Sequence, residues 1–522
     1  MPEDDVVVIG SGIVGATIAY LLTKRGHRVT VFEKGPEYPY PHLPQFKNMM
    51  FFNPAAPGYN PPPDVKMHEF SGNYPKNLEH ERYMLVGGSS TKWEAITLRM
   101  VANDFKLKSL YNFGDDWPIG YSDIEPYYCR AEQLLGVSGT DSDNPFAPPR
   151  SKPYPLPPFE LSHSDKIFRD SLKLQGIHLH STPQARTRTS YQDRPGCVNY
   201  KRCWVCPIGA RYSPNYHLLL AIQTGLCRVR PNISIRRIIL DSSGAARAVL
   251  YQSNDASKPK ELPAKAVIVA AGGLESPRLL LLSKSTGHPN GLGNNAGQVG
   301  RNFCMNHIWR GYFKFKQPVF LGRFGGWTGQ SMQFRDPENR GKVGGIKIEF
   351  SERSSFGGVS IKKRLSAKEI VKRKRSVRHM REIAFHAESV PSPDNYIALS
   401  KKIDRFGDPV ALVHYLSSDF NQATYRFASE LFDRFSRALK PAHTRFPKSE
   451  QYDSGCHHLG TCRMGQTESD SVVDQFGKLH AVPNVFVIGG SMYVGTPGAI
   501  NPTLTMTALA IRSADYIIDQ VL

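Results

Sequence analysis

The chain has 522 residues, 40% hydrophobic and 21% charged, with a formal net charge of +20. That length exceeds the roughly 250 to 300 residues at which one core stops growing, so more than one domain is expected, and the composition excludes disordered classes. No apolar run reaches the length of about 18 residues that a spanning helix needs, and eight cysteines are too few for a disulfide scaffold.

Residues Val6 to Ile9 form a short apolar run. Gly10-x-Gly12-x-x-Gly15 then opens an apolar helical stretch to Leu22, and a second strand, Arg28 to Phe32, ends at Glu33. Gly10 permits the tight turn, Gly12 lets backbone approach a pyrophosphate, and Gly15 lets helix pack on strand, with the helix N-terminus facing the anion. Glu33 stands where a carboxylate accepts hydrogen bonds from a ribose. Together these read as a dinucleotide-binding unit, and on the fingerprint alone FAD and NAD both stay open.

Residues 36–80 are rich in Pro, Asn and Tyr and read as a long excursion with little regular structure. Val86-Gly87-Gly88-Ser89-Ser90-Thr91-Lys92-Trp93 is a cluster of small residues that lets backbone run close to a flat ligand, with Trp93 beside it. A helix is expected from Tyr121 to about Leu135, started by Ser122 and Asp123, and the prolines of 144–158 mark a linker. Cys197, Cys203 and Cys206 fall in one loop, the last followed by proline. Such a run suits an iron–sulfur cluster; zinc fits less well because no histidine lies among the thiols, and buried structural thiols are the other reading left open.

Strand-like alternation from Asn232 ends in a buried strand, Ala266 to Val269, that runs through Ala270-Ala271-Gly272-Gly273 into a Leu-rich helix. The nucleotide domain has therefore resumed. Residues 308–450 mix alternating strands with a helix around Ala423 to Leu439. They hold the basic run of Lys362-Lys363-Arg364 and Lys372-Arg373-Lys374-Arg375, read as a solvated face and not a nucleic-acid site because no aromatic interleaving accompanies it. Near the end, Cys456-His457-His458-Leu459-Gly460 and Asn501-Pro502-Thr503 bracket an apolar strand that closes in Gly489-Gly490. Histidine and asparagine can thus face one point. A histidine takes a hydroxyl proton while an asparagine amide orients the same oxygen, as an alcohol oxidation requires. His458 competes for the base role, and position in the motif favours His457.

These stretches resemble the glucose-methanol-choline (GMC) family of FAD oxidoreductases: the N-terminal fingerprint with Glu33, Gly87 to Ser90, the turn from Gly273 to Arg278, and the His457 and Asn501 segments. Within it, Asn501 to Thr505 looks like pyranose 2-oxidase. Asn103 to Lys106, Asp116 to Ile119, Cys206 to Ala210 and Phe385-His386 look like the catalytic subunit of bacterial glucose dehydrogenase. The resemblance implies an α/β fold, with a Rossmann-like FAD-binding domain assembled from residues 1–145, 226–307 and 451–522. It further implies a segment 146–225 carrying the cysteine loop and an α+β substrate domain, 308–450, built on an antiparallel sheet.

FAD is expected to be held by Gly10, Gly12, Gly15, Glu33, Gly87, Gly88, Ser89, Ser90, Trp93, Ala271, Gly272, Gly490, Asn501 and Thr503. The binding is expected to be noncovalent, since Lys92 replaces a flavin-linked histidine. The implied reaction is oxidation of a secondary or anomeric hydroxyl of a sugar or glycoside, with His457 as base, Asn501 orienting the oxygen and hydride passing to flavin N5. The alternative is an electron-transfer or binding subunit with little turnover, against which the intact His457 and Asn501 argue. A small companion subunit or an electron-accepting protein is the partner implied. The acidic start running straight into a strand reads as no export signal, so the cytoplasm is expected, with export to the periplasm by a signal-bearing companion as the alternative.

Overall fold

The computed structural model describes residues 4–44, 47, 68–73, 82–198, 205–319, 327–351, 366–448 and 451–522. Most of the 36–80 excursion, Cys203 and the basic run Lys362-Lys363-Arg364 lie outside the described residues.

Strand Asp4–Ile9 is buried throughout its apolar length and pairs in parallel with Val29–Phe32 on one side and Lys260–Val269 on the other. Cys227–Arg230 extends this parallel sheet beyond Val29–Phe32, and Val485–Val487 adds to the far half of Lys260–Val269. The near half of that long strand turns to an antiparallel meander with Ala246–Ser253 and Ile233–Leu240. Apart from the edge strand Cys227–Arg230, its parallel strands are rich in Val and Ile because helices cover them; Ile13–Lys24 and the closing helix Thr503–Gln520 join the same core. In register, Ile9, Phe32, Val269 and Val487 end together. Every loop that leaves the sheet's carboxyl edge therefore starts from one line, which is where ligands bind in open α/β sheets.

A second, antiparallel sheet runs His443–Arg445, His307–Lys314, Met380–Ala387, Ile346–Ser351, Gly329–Ser331 and His180–Ser181, with Asp453–Ser454 beside the start of His307–Lys314. Its strands alternate with period two. Ile346, Ile348, Phe350, Ile383, Phe385, Trp309 and Phe313 fall on one face and pack with Phe432 and Phe435 of helix Asp419–Leu439. Gly311 sits on that face because a Cβ there would stand 2.3 Å from the Phe432 ring. Lys347, Glu349, His386 and Arg310 occupy the other face.

A hairpin, Tyr396–Ile403 and Pro409–Tyr415, pairs with His68–Gly72. Its turn is tied to the first sheet by Arg236 to Asp408 at 2.6 Å and to helix Gly272–Leu282 by Arg278 to Asp404 at 2.8 Å.

Helix Tyr121–Leu135 has the expected bounds, and Asp123, its third residue, caps it by accepting from the Gly120 N–H at 2.7 Å. The helix read from Ala423 begins at Asp419, where Asn421 Oδ1 accepts from the Ser418 N–H and hydroxyl. Among the described residues no helix is long and apolar enough to cross a membrane.

Candidate active site

A cavity of about 580 Å³ runs from the carboxyl edge of the first sheet to the polar face of the second. At the nucleotide end it is lined by backbone. Gly10 has φ +101, and a Cβ on Gly15 would stand 1.9 Å from the Gly10 carbonyl oxygen, so these two glycines form the turn and the helix contact. Around Gly12 and Gly272 no heavy atom lies within 4 Å of where a Cβ would be; both line the cavity and present bare backbone to it. Gly12 precedes the first residue of helix Ile13–Lys24, so unpaired N–H groups face the same space.

Glu33 is buried and accepts from the Ser11 hydroxyl at 2.7 Å and the Gly35 N–H at 3.0 Å; burial still pushes its carboxyl above the ordinary value. Ser11 also accepts from the Gly87 N–H at 3.0 Å. It thereby ties the fingerprint to the second glycine loop, a residue the sequence reading did not single out. Gly88, Ser89, Ser90, Trp93, Ala271, Gly490, Asn501 and Thr503 line the cavity too. The Trp93 indole is fixed by its N–H to the Tyr212 carbonyl at 2.9 Å. Gly15 and Gly87 stand behind the wall, and the side of Gly87 is filled by Asn215. Lys92 donates to the Tyr83 hydroxyl and lines the cavity. Bare glycine backbone at a helix start, a buried acid and a flanking indole fit FAD.

The two catalytic candidates reach this space from separate loops. The loop carrying His457 and His458 lies backbone to backbone on the first sheet: a Cβ on Gly273 would stand 2.2 Å from the His458 carbonyl oxygen, and one on Gly490 at 2.7 Å. Only glycine at both positions permits that approach. His457 Nδ1 lies 2.7 Å from Asn306 Oδ1, while Asn306 Nδ2 donates to the Ala387 carbonyl at 3.3 Å. The second bond assigns the amide's orientation, so Nδ1 carries the proton and Nε2 is left with a lone pair. Burial, followed by the nearby Lys347 charge, holds the His457 imidazole well below its ordinary pKa and therefore neutral. His458 also lines the cavity and lies against the Phe303 ring at 6.0 Å.

Asn501 follows the turn Pro497–Ala499. Gly498 donates its N–H to Glu388 at 3.0 Å, and Glu388 shares Arg340, at 2.8 Å, with Asp104. Asp104 also pairs with Arg335. This fully buried network fastens the asparagine turn to the end of strand Met380–Ala387. Asn501 Oδ1 accepts from Lys347 Nζ at 2.6 Å, which turns the amide N–H2 group the other way. Lys347 also pairs with Glu349, and Glu349 in turn lies 3.0 Å from His386 Nε2. All three are buried on the polar face of the second sheet, Lys347 directly across from His386 and two residues from Glu349. Burial lowers the Lys347 ammonium and moves His386 down to about 4. Burial also raises the Glu349 carboxyl, but His386 and Lys347 outweigh it and hold the group below its ordinary value.

Lys347, Glu349 and Asn306 were missed in sequence, and His386 entered only through its dipeptide. The available signal was the alternation Ile346-Lys347-Ile348-Glu349-Phe350, which ordinarily reads as a strand with one face in water. Cys197 and Cys206 are both partly buried, and Cys206 Sγ accepts from the Arg211 N–H at 3.5 Å. Cys203 lies outside the described residues.

Profiles described as GMC oxidoreductase match residues 159–308 and 391–510, and one described as FAD dependent oxidoreductase matches 5–40. The chain is a GMC oxidoreductase. It is 29% identical to the fructose dehydrogenase large subunit of Gluconobacter japonicus over 99% of this chain and 98% of that one. Its identity to the 2-methyl-1,2-propanediol dehydrogenase of Mycolicibacterium austroafricanum is also 29%, over 99% and 95%. Paromamine 6'-oxidase of Streptomyces fradiae is 25% identical over 98% and 91%. The solved pyridoxine 4-oxidase from Mesorbium loti shares the fold, with a TM-score of 0.68 at 16% identity over 99% of this GMC oxidoreductase and all of that chain. As a family member, this chain is an FAD enzyme that oxidises CH–OH groups.

Proposed function

We propose that this GMC oxidoreductase oxidises a ring hydroxyl of a neutral sugar or glycoside, with His457 as the base and Asn501 as the group that orients the reacting oxygen. One observation carries the assignment. Hydrogen bonds from behind fix both side chains, His457 through Asn306 and Asn501 through Lys347, so that an acceptor, Nε2, and a donor, the amide N–H2, are left for one substrate oxygen. A hydroxyl seated there gives its proton to Nε2 while the amide holds the oxygen as it becomes a carbonyl. Bound FAD supplies the two-electron acceptor for the C–H pair. Gly12, Gly272, Glu33, Ser89, Ser90 and Trp93 would hold it, and Lys92 offers no histidyl linkage.

The names of the relatives support a substrate with more than one hydroxyl, since fructose and 2-methyl-1,2-propanediol both are such compounds and a third relative is named for a glycoside. The words "large subunit" in one of them support a companion subunit as a partner. The test is anaerobic mixing of the purified holoenzyme with a panel of pyranoses and glycosides, following the flavin absorbance. Bleaching by at least one sugar is expected, with slow reoxidation in air and fast reoxidation by a dye. A flavin that no sugar bleaches overturns the reading.

A further inference from the structure

The substrate end of the cavity holds a polar atom, on His386, that the reaction above does not use. His386 Nε2 lies against Glu349, a carboxylate that can only accept, so Nε2 carries the ring proton and Nδ1 is an acceptor. That Nδ1 is buried and has no hydrogen-bond partner among the described residues, although His386 lines the cavity. An unpaired buried acceptor is costly unless something supplies a proton donor to it.

We propose that His386 Nδ1 binds a second hydroxyl of the substrate ring, so that the site recognises a diol and not a lone alcohol; this rests on the reading of His457 and Asn501 as the reacting pair. The two recognition points are joined rigidly. Asn501, which holds the reacting oxygen, accepts from Lys347, Lys347 pairs with Glu349, and Glu349 accepts from His386. Lys347 and His386 are register partners on adjacent strands, about 5 Å apart in backbone, which is the span of a single sugar ring. Moving any member of the chain moves both hydroxyl sites together.

The charges on this wall select for a neutral ligand. Lys347 is compensated by Glu349, and Arg310 is compensated by Glu382 and Asp453, each at 2.9 Å. No unbalanced cation among these residues faces the cavity to attract a sugar acid. The atom left over is a neutral imidazole nitrogen, kept uncharged by burial. It accepts from an O–H and repels a carboxylate.

The test compares cyclohexanol with the cyclohexane-1,2-diols and 1,3-diols as reductants of the bound flavin, in the wild-type holoenzyme, His386→Leu and His386→Asn. The readout is the ratio of kcat/KM for the best diol to that for cyclohexanol, which is insensitive to a general loss of activity. The wild type is expected to favour a diol by about tenfold, the scale of one hydrogen bond. His386→Leu is expected to bring the ratio near one. His386→Asn, whose side-chain oxygen stands near the Nδ1 position, restores part of it. No diol preference in the wild type, no reduction by any diol, or a ratio unchanged in His386→Leu overturns the proposal. If pyranoses fail to bleach the flavin while the diol ratio behaves as expected, the sugar reading falls and this one stands. If pyranoses bleach it and the ratio does not respond, the reverse holds.

Discussion

The two ends of the cavity are built on opposite principles. At the nucleotide end much of the wall is backbone: Gly10, Gly12, Gly272 and Gly273 lie at the carboxyl edge of parallel strands, with Gly15 behind them, and what they contribute is the absence of a side chain. At the substrate end the wall is side chain: Lys347, Glu349, His386 and Arg310 stand on one face of an antiparallel sheet, Lys347 paired with Glu349, His386 against Glu349, and Arg310 paired with Glu382. Backbone packed as closely as at Gly15 leaves no room for an added atom. A side-chain site tolerates changes of shape but fails when one charge loses its partner, because the remaining group is buried unpaired.

The comparison is broken most severely at the nucleotide end. Gly15→Val places a Cβ 1.9 Å from the Gly10 carbonyl oxygen, and neither backbone can yield without moving helix Ile13–Lys24 off its strand. The expected outcome is protein without flavin, read as the ratio of visible to ultraviolet absorbance after purification. A normal flavin content would mean the helix can shift, and the account of the turn would be wrong.

At the substrate end the fold survives and the chemistry fails. His457→Ala is expected to keep its FAD and to slow anaerobic flavin reduction by about 10²-fold or more, the scale of losing a general base. His458→Ala is expected to be milder, since that ring lies against Phe303 whereas the bond to Asn306 is made by His457. The reverse order, measured in the same stopped-flow assay, would make His458 the base.

Lys347→Met sharpens the comparison further. It releases Asn501 to rotate and removes the positive charge that helps depress the His457 pKa. We expect about a tenfold loss in kcat with FAD retained. We also expect the acid limb of kcat/KM to move to higher pH, because the base, which must be neutral to act, is protonated more easily without the ammonium nearby. An unmoved acid limb would show that Lys347 does not act on His457.

The same contrast explains what could be read in advance. The glycines, Glu33 and the small-residue loop were legible because a backbone cradle needs particular residue types at fixed local spacing. His457 and Asn501 were legible because each sits in its own short motif. Lys347, Glu349 and Asn306 were not, because nothing local marks them. Asn306 precedes a strand by one residue, and Lys347 and Glu349 look like the wet face of an ordinary strand. Only the sheet register, with helix Asp419–Leu439 covering the apolar face, shows that the polar face is buried as well. The Glu388, Arg340 and Asp104 network was hidden for the same reason, since its members come from three distant segments.

The last expected effect is the smallest and is read in the response to acid. His386 and His307, on the second sheet, are pushed by burial to about 4 and about 3 from an ordinary 6.5. Both are neutral when folded and take up a proton only on unfolding, so the unfolded chain binds more protons below pH 6.5 and stability falls as pH drops from there. Each contributes a slope of at most about 1.4 kcal/mol per pH unit. Glu33, at the nucleotide end, is shifted the other way, so acid favours its folded, protonated form. Between pH 6.5 and 5 the carboxyl of Glu349, held below its ordinary range, does not titrate and the histidines act without it. The melting temperature of the holoenzyme is therefore expected to fall across that window, and the fall is expected to be shallower in His386→Asn, which has one fewer group to protonate on unfolding. Parallel curves for the two proteins would mean that His386 is already charged in the folded state, in which case its Nδ1 carries a proton and cannot accept one from a substrate hydroxyl.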